Sequence, residues 1–155
     1  MDLGSIMTKR VVTVEMDDSL RVINGIFTYA KFHHLLVVEN GKLMGIISDR
    51  DVLKAMSPFL DTLAEQSRDS ATLERKAHQI MTREPVTGTR AMDIAVAVRT
   101  MLQKRVSCLP VLSENGQIEG IVTWKDLLTA FVDTAEVLCP VCRLRLKVRQ
   151  EYGEE

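Results

Sequence analysis

The chain has 155 residues, 46% hydrophobic and 26% charged, which is enough apolar material for one compact core and argues against wholesale disorder. Its 20 basic and 21 acidic residues nearly cancel, excluding the broad basic footprint of a protein that grips nucleic acid through phosphates, so any anion site is local. No apolar run approaches the roughly 20 residues of a membrane helix, the start Met1-Asp2-Leu3-Gly4-Ser5 is unlike a signal peptide, and three cysteines suit a reducing compartment; the expectation is a soluble, cytoplasmic protein.

In chain order, Val11-Val12-Thr13-Val14 is short and β-branched, a strand pattern. Leu20, Ile23, Ile26, Phe27 and Ala30 recur at helical spacing behind the cap candidates Asp18 and Ser19. Two apolar runs, Leu35-Leu36-Val37-Val38 and Leu43-Met44-Gly45-Ile46-Ile47, flank Glu39-Asn40-Gly41-Lys42, whose Asn-Gly pair suits a tight hairpin. A second helix is expected from Ser48.

From Ser57 to Gln79 the chain is polar, and it reads as a surface connector with one or two helical pieces. The order then repeats, with Val86-Thr87, a helix carrying Ile94, Val98, Met101 and Leu102, runs Leu109 to Leu112 and Ile118 to Val122, and a helix from Thr123. Ile6-Met7-Thr8 returns as Ile80-Met81-Thr82, and Gly45 to Asp51 returns as Gly120 to Asp126. The copies differ by one residue, most simply placed where Glu39-Asn40-Gly41 becomes Ser113-Glu114-Asn115-Gly116. The predicted organisation is repeat 1 over 1–56, a linker over 57–79, repeat 2 over 80–134 and a tail over 135–155. Each β-α-β-β-α unit is too small to bury a core alone, so the fold class is α/β (α+β), with tandem repeats packed against each other about a pseudo-two-fold axis.

The motif Gly-hydrophobic-hydrophobic-Ser/Thr-x-x-Asp closes both copies, at Gly45 to Asp51 and Gly120 to Asp126. Taken singly it is a capping box, in which Ser48 or Thr123 caps the helix and the carboxylate favours its positive end. Its recurrence at the same joint points further. A hydroxyl and a carboxylate at a strand-helix joint suit a ribose, with Arg50 or Lys125 placed for phosphates.

Order, spacing, the Ile-Met-Thr openings, Arg105-Val106-Ser107-Cys108-Leu109-Pro110-Val111 and both Gly-to-Asp motifs resemble the CBS-domain pair (Bateman module), of the stand-alone bacterial or archaeal type, from Ile6 to about Val132. That resemblance implies a regulatory unit, not an enzyme, that binds adenosine nucleotides (AMP, ADP or ATP) between the repeats and signals as a homodimer to a downstream protein, with no membrane or nucleic acid partner. It places Ser48 and Asp51 with Thr82, Val86, Val106 and Ser107 in one site. It places Thr123 and Asp126 with Thr8, Val12, Phe32 and His33 in the companion site. Phe32-His33-His34 departs from Val106-Ser107-Cys108, so the first site is expected to be the more ordinary adenosine binder and the companion selective, weak or empty. The resemblance also makes His33 and His34 candidate phosphate contacts, and strand alternation allows at most one of them to face a given ligand.

Cys139-Pro140-Val141-Cys142 supplies half of a tetrahedral zinc site and precedes the alternating Arg143-Leu144-Arg145-Leu146-Lys147-Val148-Arg149. Cys139 and Cys142 leave three readings open: no special role, zinc shared with a partner chain, or a redox pair. The alternative to nucleotide sensing is a dimeric interaction scaffold in which this cysteine tail binds zinc or a partner.

Overall fold

The computed structural model describes residues 1–134, 136–138 and 145–147, with side chains to Val132. The first half holds α1 (Leu3–Ile6), β1 (Thr13–Glu15), α2 (Leu20–Tyr29), β2 (His34–Glu39), β3 (Lys42–Ser48) and α3 (Asp49–Ala55). The connector forms α4 (Ser67–Ser70), a 3₁₀ turn (Ala71–Glu74) and α5 (Ala77–Ile80). The second half holds β4 (Thr82–Arg83), β5 (Gly88–Thr89), α6 (Ile94–Lys104), β6 (Cys108–Leu112), β7 (Ile118–Thr123) and α7 (Trp124–Thr134). A last hairpin, β8 (Glu136–Leu138) with β9 (Arg145–Lys147), flanks the Cys-x-x-Cys stretch, and Cys139 and Cys142 lie outside the described residues.

Local chemistry sets the boundaries. Ser19 caps α2 by accepting from the Val22 amide, and Asp93 caps α6 by accepting from Ala95. Asn40 and Gly41 both take positive φ, 51° and 75°, which permits the two-residue turn between β2 and β3. In the second copy only Gly116 does so within its loop, at 76°, and Ser113 N donates to Gln117 O at 2.8 Å, which makes the loop one residue longer. The inserted residue therefore sits in the turn. The first strand of each copy begins later than its β-branched run suggested, at Thr13 and Gly88, because Val11 instead packs between the sheets and Val86 against the second-half core. In β6, Pro110 has no amide to match the Leu36 N to Val12 O bond of the first copy, and β5 is correspondingly short.

The two copies exchange their opening segments. β4, from the second copy, pairs antiparallel with β3 of the first, in the sheet order β1-β2-β3-β4. Reciprocally, Thr8 forms a bridge with Ile121 of β7, its amide donating at 2.9 Å and its carbonyl accepting at 3.0 Å, alongside the sheet β5-β6-β7. This crossing explains the glycine that opens each motif. A Cβ at Gly45 would lie 2.8 Å from the Thr82 carbonyl oxygen, and one at Gly120 would lie 2.8 Å from that of Thr8.

The core follows the same exchange. Leu3 and Met7 are buried with Met101, Leu109, Val122 and Leu127 of the second half, while Ala77 and Met81 are buried with Ile23, Leu35, Ile47 and Val52 of the first. Leu36 and Ile46, on the opposite strand faces from Leu35 and Ile47, meet Cys108 and Ile121 in a third cluster between the sheets. Neither half closes its core without the other. Burying both faces of β2 accounts for its unbroken apolar run.

Candidate functional site

Ser48 forms the expected cap at the first joint, and at the second joint the Asp126 carboxylate bonds back to Thr123. The Ser48 amide and hydroxyl each donate to Asp51 Oδ2 at 2.8 Å, and the Asp51 amide donates back to Ser48 Oγ at 3.2 Å. The Thr123 amide and hydroxyl donate to Asp126 Oδ2 at 2.7 and 2.8 Å. Capping occupies one oxygen of each carboxylate. Asp51 Oδ1 has no hydrogen-bond partner among the described residues, and Asp126 Oδ1 has only Thr8 Oγ1, at 3.3 Å. Each carboxylate therefore retains acceptor capacity for ligand hydroxyls.

A cleft of about 660 Å³ opens at the second joint. Thr8, Val12, Phe32, His33, Thr123, Lys125 and Asp126, the companion set, all line it. The exchanged opening segment brings Thr8 and Val12 there, β7 and the first turn of α7 bring Thr123, Lys125 and Asp126, and the loop before β2 brings Phe32 and His33. Phe32 is steadied edge-on by Phe27, with ring centroids 6.1 Å apart. Of the other set, Ser48, Arg50 and Ser107 reach the same cleft, whereas Asp51, Thr82, Val86 and Val106 do not line it. Thr82 lies beside Ile46 on β4, and Val86 and Val106 pack partly against the second-half core.

Strand alternation predicted that only one of His33 and His34 would face a ligand, yet both line the cleft. His33 precedes the first residue of β2, so the alternation does not govern it. His33 Nδ1 lies 2.8 Å from Asp49 Oδ2, and His34 Nε2 lies 2.8 Å from Ser107 Oγ. Burial lowers the pKa of His34, opposed in part by the nearby Asp49 carboxylate. Burial would raise the pKa of Asp49, but hydrogen bonds from His33 and the Arg50 amide outweigh it and hold the carboxyl below its ordinary value.

Among the polar and aromatic lining residues, Arg10, Lys31, Asp49 and Trp124 escaped sequence reasoning. Trp124 carried a signal, since it replaces Asp49 inside an otherwise repeated motif. Arg10 carried none, because its place depends on the segment exchange, and Lys31 lies in the loop before β2 beside the predicted Phe32 and His33. Cys108 is buried in the inter-sheet cluster, and its thiol is pushed up to about 12 by that burial. Among the described residues no cluster of three His, Cys, Asp or Glu could hold a metal, and no helix is long and apolar enough to cross a membrane.

The CBS domain family matches residues 3–58 and 77–133. A CBS domain-containing protein of Dictyostelium discoideum is 35% identical over 137 residues, spanning 87% of this chain and 94% of that protein. An uncharacterized protein of Methanocaldococcus jannaschii is 29% identical over 157 residues, spanning 85% and 92%. Relatives named as enzymes, such as inosine-5'-monophosphate dehydrogenase of Nitrosopumilus maritimus, match over only 23% of their own length, so there the similarity is to an appended part. Among solved structures, the CBS domain pair of protein MJ0100, in complex with 5'-methylthioadenosine and S-adenosyl-L-methionine, superposes with TM-score 0.70 at 25% identity, covering 84% of this chain and 95% of that one. CBSX2, solved with AMP, shares the fold with TM-score 0.69 at 24% identity, covering 83% and 94%. The exchanged opening segments, the doubled strand-helix joint and these matches agree: the chain belongs to the CBS-domain family, as a tandem pair.

Proposed function

We propose that the chain is a regulatory module that binds an adenosine nucleotide, AMP, ADP or ATP, and senses it without turning it over. The observation that carries this reading is the cleft at Thr123 and Asp126, the companion site expected from the sequence to be selective, weak or empty, where a carboxylate with acceptor capacity left, an aromatic wall and basic side chains surround one space. A carboxylate can accept both ribose hydroxyls, Phe32 and Trp124 offer apolar surface to a base, and Lys125 with Arg50 offers charge to phosphates. The adenosine ligands of the MJ0100 domain pair support the choice of ligand class.

A homodimer would carry the signal. The same positions of the two copies expose apolar side chains: Val22 and Val96 at 49% and 48%, Leu53 and Leu128 at 73% and 61%. Two equivalent apolar faces on one pseudo-symmetric body suit a self-complementary partner. Nucleotide binding alters the output only by favouring one arrangement of that dimer over another, which a downstream protein then reads. Thermal shift against AMP, ADP, ATP and S-adenosylmethionine tests the ligand. At ~100 times its dissociation constant, a ligand should stabilise by about 2.7 kcal/mol. The absence of any shift would sink the reading.

A further inference from the structure

One dipeptide of the companion side grips both walls of the Ser48 and Asp51 site. His33 belongs to the companion set, yet its Nδ1 lies 2.8 Å from Asp49 Oδ2, and its carbonyl accepts from the Asp49 amide at 3.1 Å. Asp49 opens α3, between Ser48 and Asp51 of the first ribose motif. His34 reaches the other way, with Nε2 2.8 Å from Ser107 Oγ in the segment before β6, the base side of that same site. His34 is itself fixed, since it opens β2 and pairs with Ser48 across the sheet. Ribose wall and base wall are thus tied through two neighbouring imidazoles. Among the described residues the second copy has no such tie: Ser107-Cys108 replaces His33-His34, Trp124 replaces Asp49, and Cys108 is buried between the sheets. The cleft accordingly opens beside Trp124, and Asp51, Thr82, Val86 and Val106 do not line it.

We propose that His33 and His34 form a clasp that couples the two sites: with the companion cleft empty they hold the Ser48 and Asp51 site shut, and an adenosine ligand seated against Phe32 shifts the dipeptide and releases both walls. Phe32 and His33 are consecutive, so a base that displaces the ring draws the imidazole from Asp49. Release also returns the Ser107 hydroxyl to a ligand at the first site. A ligand in either site then favours the released state, so each raises the affinity of the other.

This inference rests on the nucleotide reading above, and calorimetry with adenosine on the full chain separates the two. Adenosine lacks phosphate, so the basic residues of the cleft do not enter. The wild type should bind two adenosines per chain, the second more tightly than independent sites allow. In an Asp126→Ala background, which disables the companion ribose carboxylate, adding His33→Ala and His34→Ala should tighten adenosine about tenfold, the scale of one or two hydrogen bonds. Adding Asp51→Ala should abolish that gain, which places it at the first site. Asp49→Ala cuts the His33 bond from its far end and should shift the affinity in the same direction, so the outcome does not depend on how the histidine variant folds. A single adenosine per wild-type chain, or an affinity in the Asp126→Ala background that these changes leave equal or weaker, would overturn the clasp and leave nucleotide binding standing. A wild type that binds neither adenosine nor ATP would overturn both.

Discussion

Replacing Gly120 by alanine sets a methyl group against the chain that crosses it. The added Cβ would lie 2.8 Å from the Thr8 carbonyl oxygen and 2.9 Å from Met7 Sδ. Thr8 cannot retreat without stretching the bonds it exchanges with Ile121, at 2.9 and 3.0 Å, each worth about 1 kcal/mol net. Met7 is 8% exposed and packs in the second-half core, so forcing it aside adds an overpacking cost of about 1–3 kcal/mol. The total of about 3–5 kcal/mol should lower Tm by on the order of 10 °C. Gly25 on α2 provides the control, because a Cβ there meets nothing within 4 Å. Gly25→Ala should stabilise by about 1 kcal/mol through helix propensity alone. Scanning calorimetry on both variants reads the difference in sign. Gly120→Ala melting at or above the wild type would refute the crossing of opening segments as the reason for this glycine.

The lowered pKa of His34 means the folded chain takes up fewer protons there than the unfolded chain, so stability from this group is present above the ordinary value of 6.5 and declines as pH falls below it. Melting curves should show this slope in the wild type and its loss in His34→Gln; equal slopes would remove the assignment. With Cys139 and Cys142 changed to serine, Cys108 should resist thiol reagents at pH 8 until the protein unfolds, since its thiol is pushed up to about 12. Fast labelling of the native chain would contradict its burial. In the proposed homodimer, Leu53→Glu with Leu128→Glu should give monomer in analytical ultracentrifugation with the melting temperature of the subunit largely kept, because both side chains are exposed in the chain alone. A wild type that sediments as a monomer, or an unchanged sedimentation coefficient in the variant, would contradict the proposed pairing through these faces.

Much of the architecture was legible because local signals agreed. The apolar runs, the Asn40-Gly41 turn and the Ser19 and Ser48 caps each point to the observed element. The crossing of the opening segments was not legible from any one stretch, since Thr8 meets Ile121 through sheet pairing between residues far apart in the chain. Its trace was the glycine at the head of each motif, whose need appears only when the crossing carbonyl is in view. The strand starts at Thr13 and Gly88 were missed because Val11 and Val86 answer to packing rather than to a strand ladder. In the site, the repeated Ser/Thr-x-x-Asp joints were readable as residue types at fixed spacing. Where the open cleft lies was not, because it depends on the exchange that carries Thr8 and Arg10 to the loop holding Lys31 and Phe32.

The chain has a single tryptophan, Trp124, and it lines the cleft beside Thr123 and Asp126. Titrating ATP and AMP against its emission therefore reports directly on the space assigned to the nucleotide. A saturable change is expected for the wild type and at least a tenfold weaker response for Asp126→Ala, whose carboxylate is proposed to take the ribose. A wild-type response that Asp126→Ala leaves intact, or no response to either nucleotide, would contradict that role.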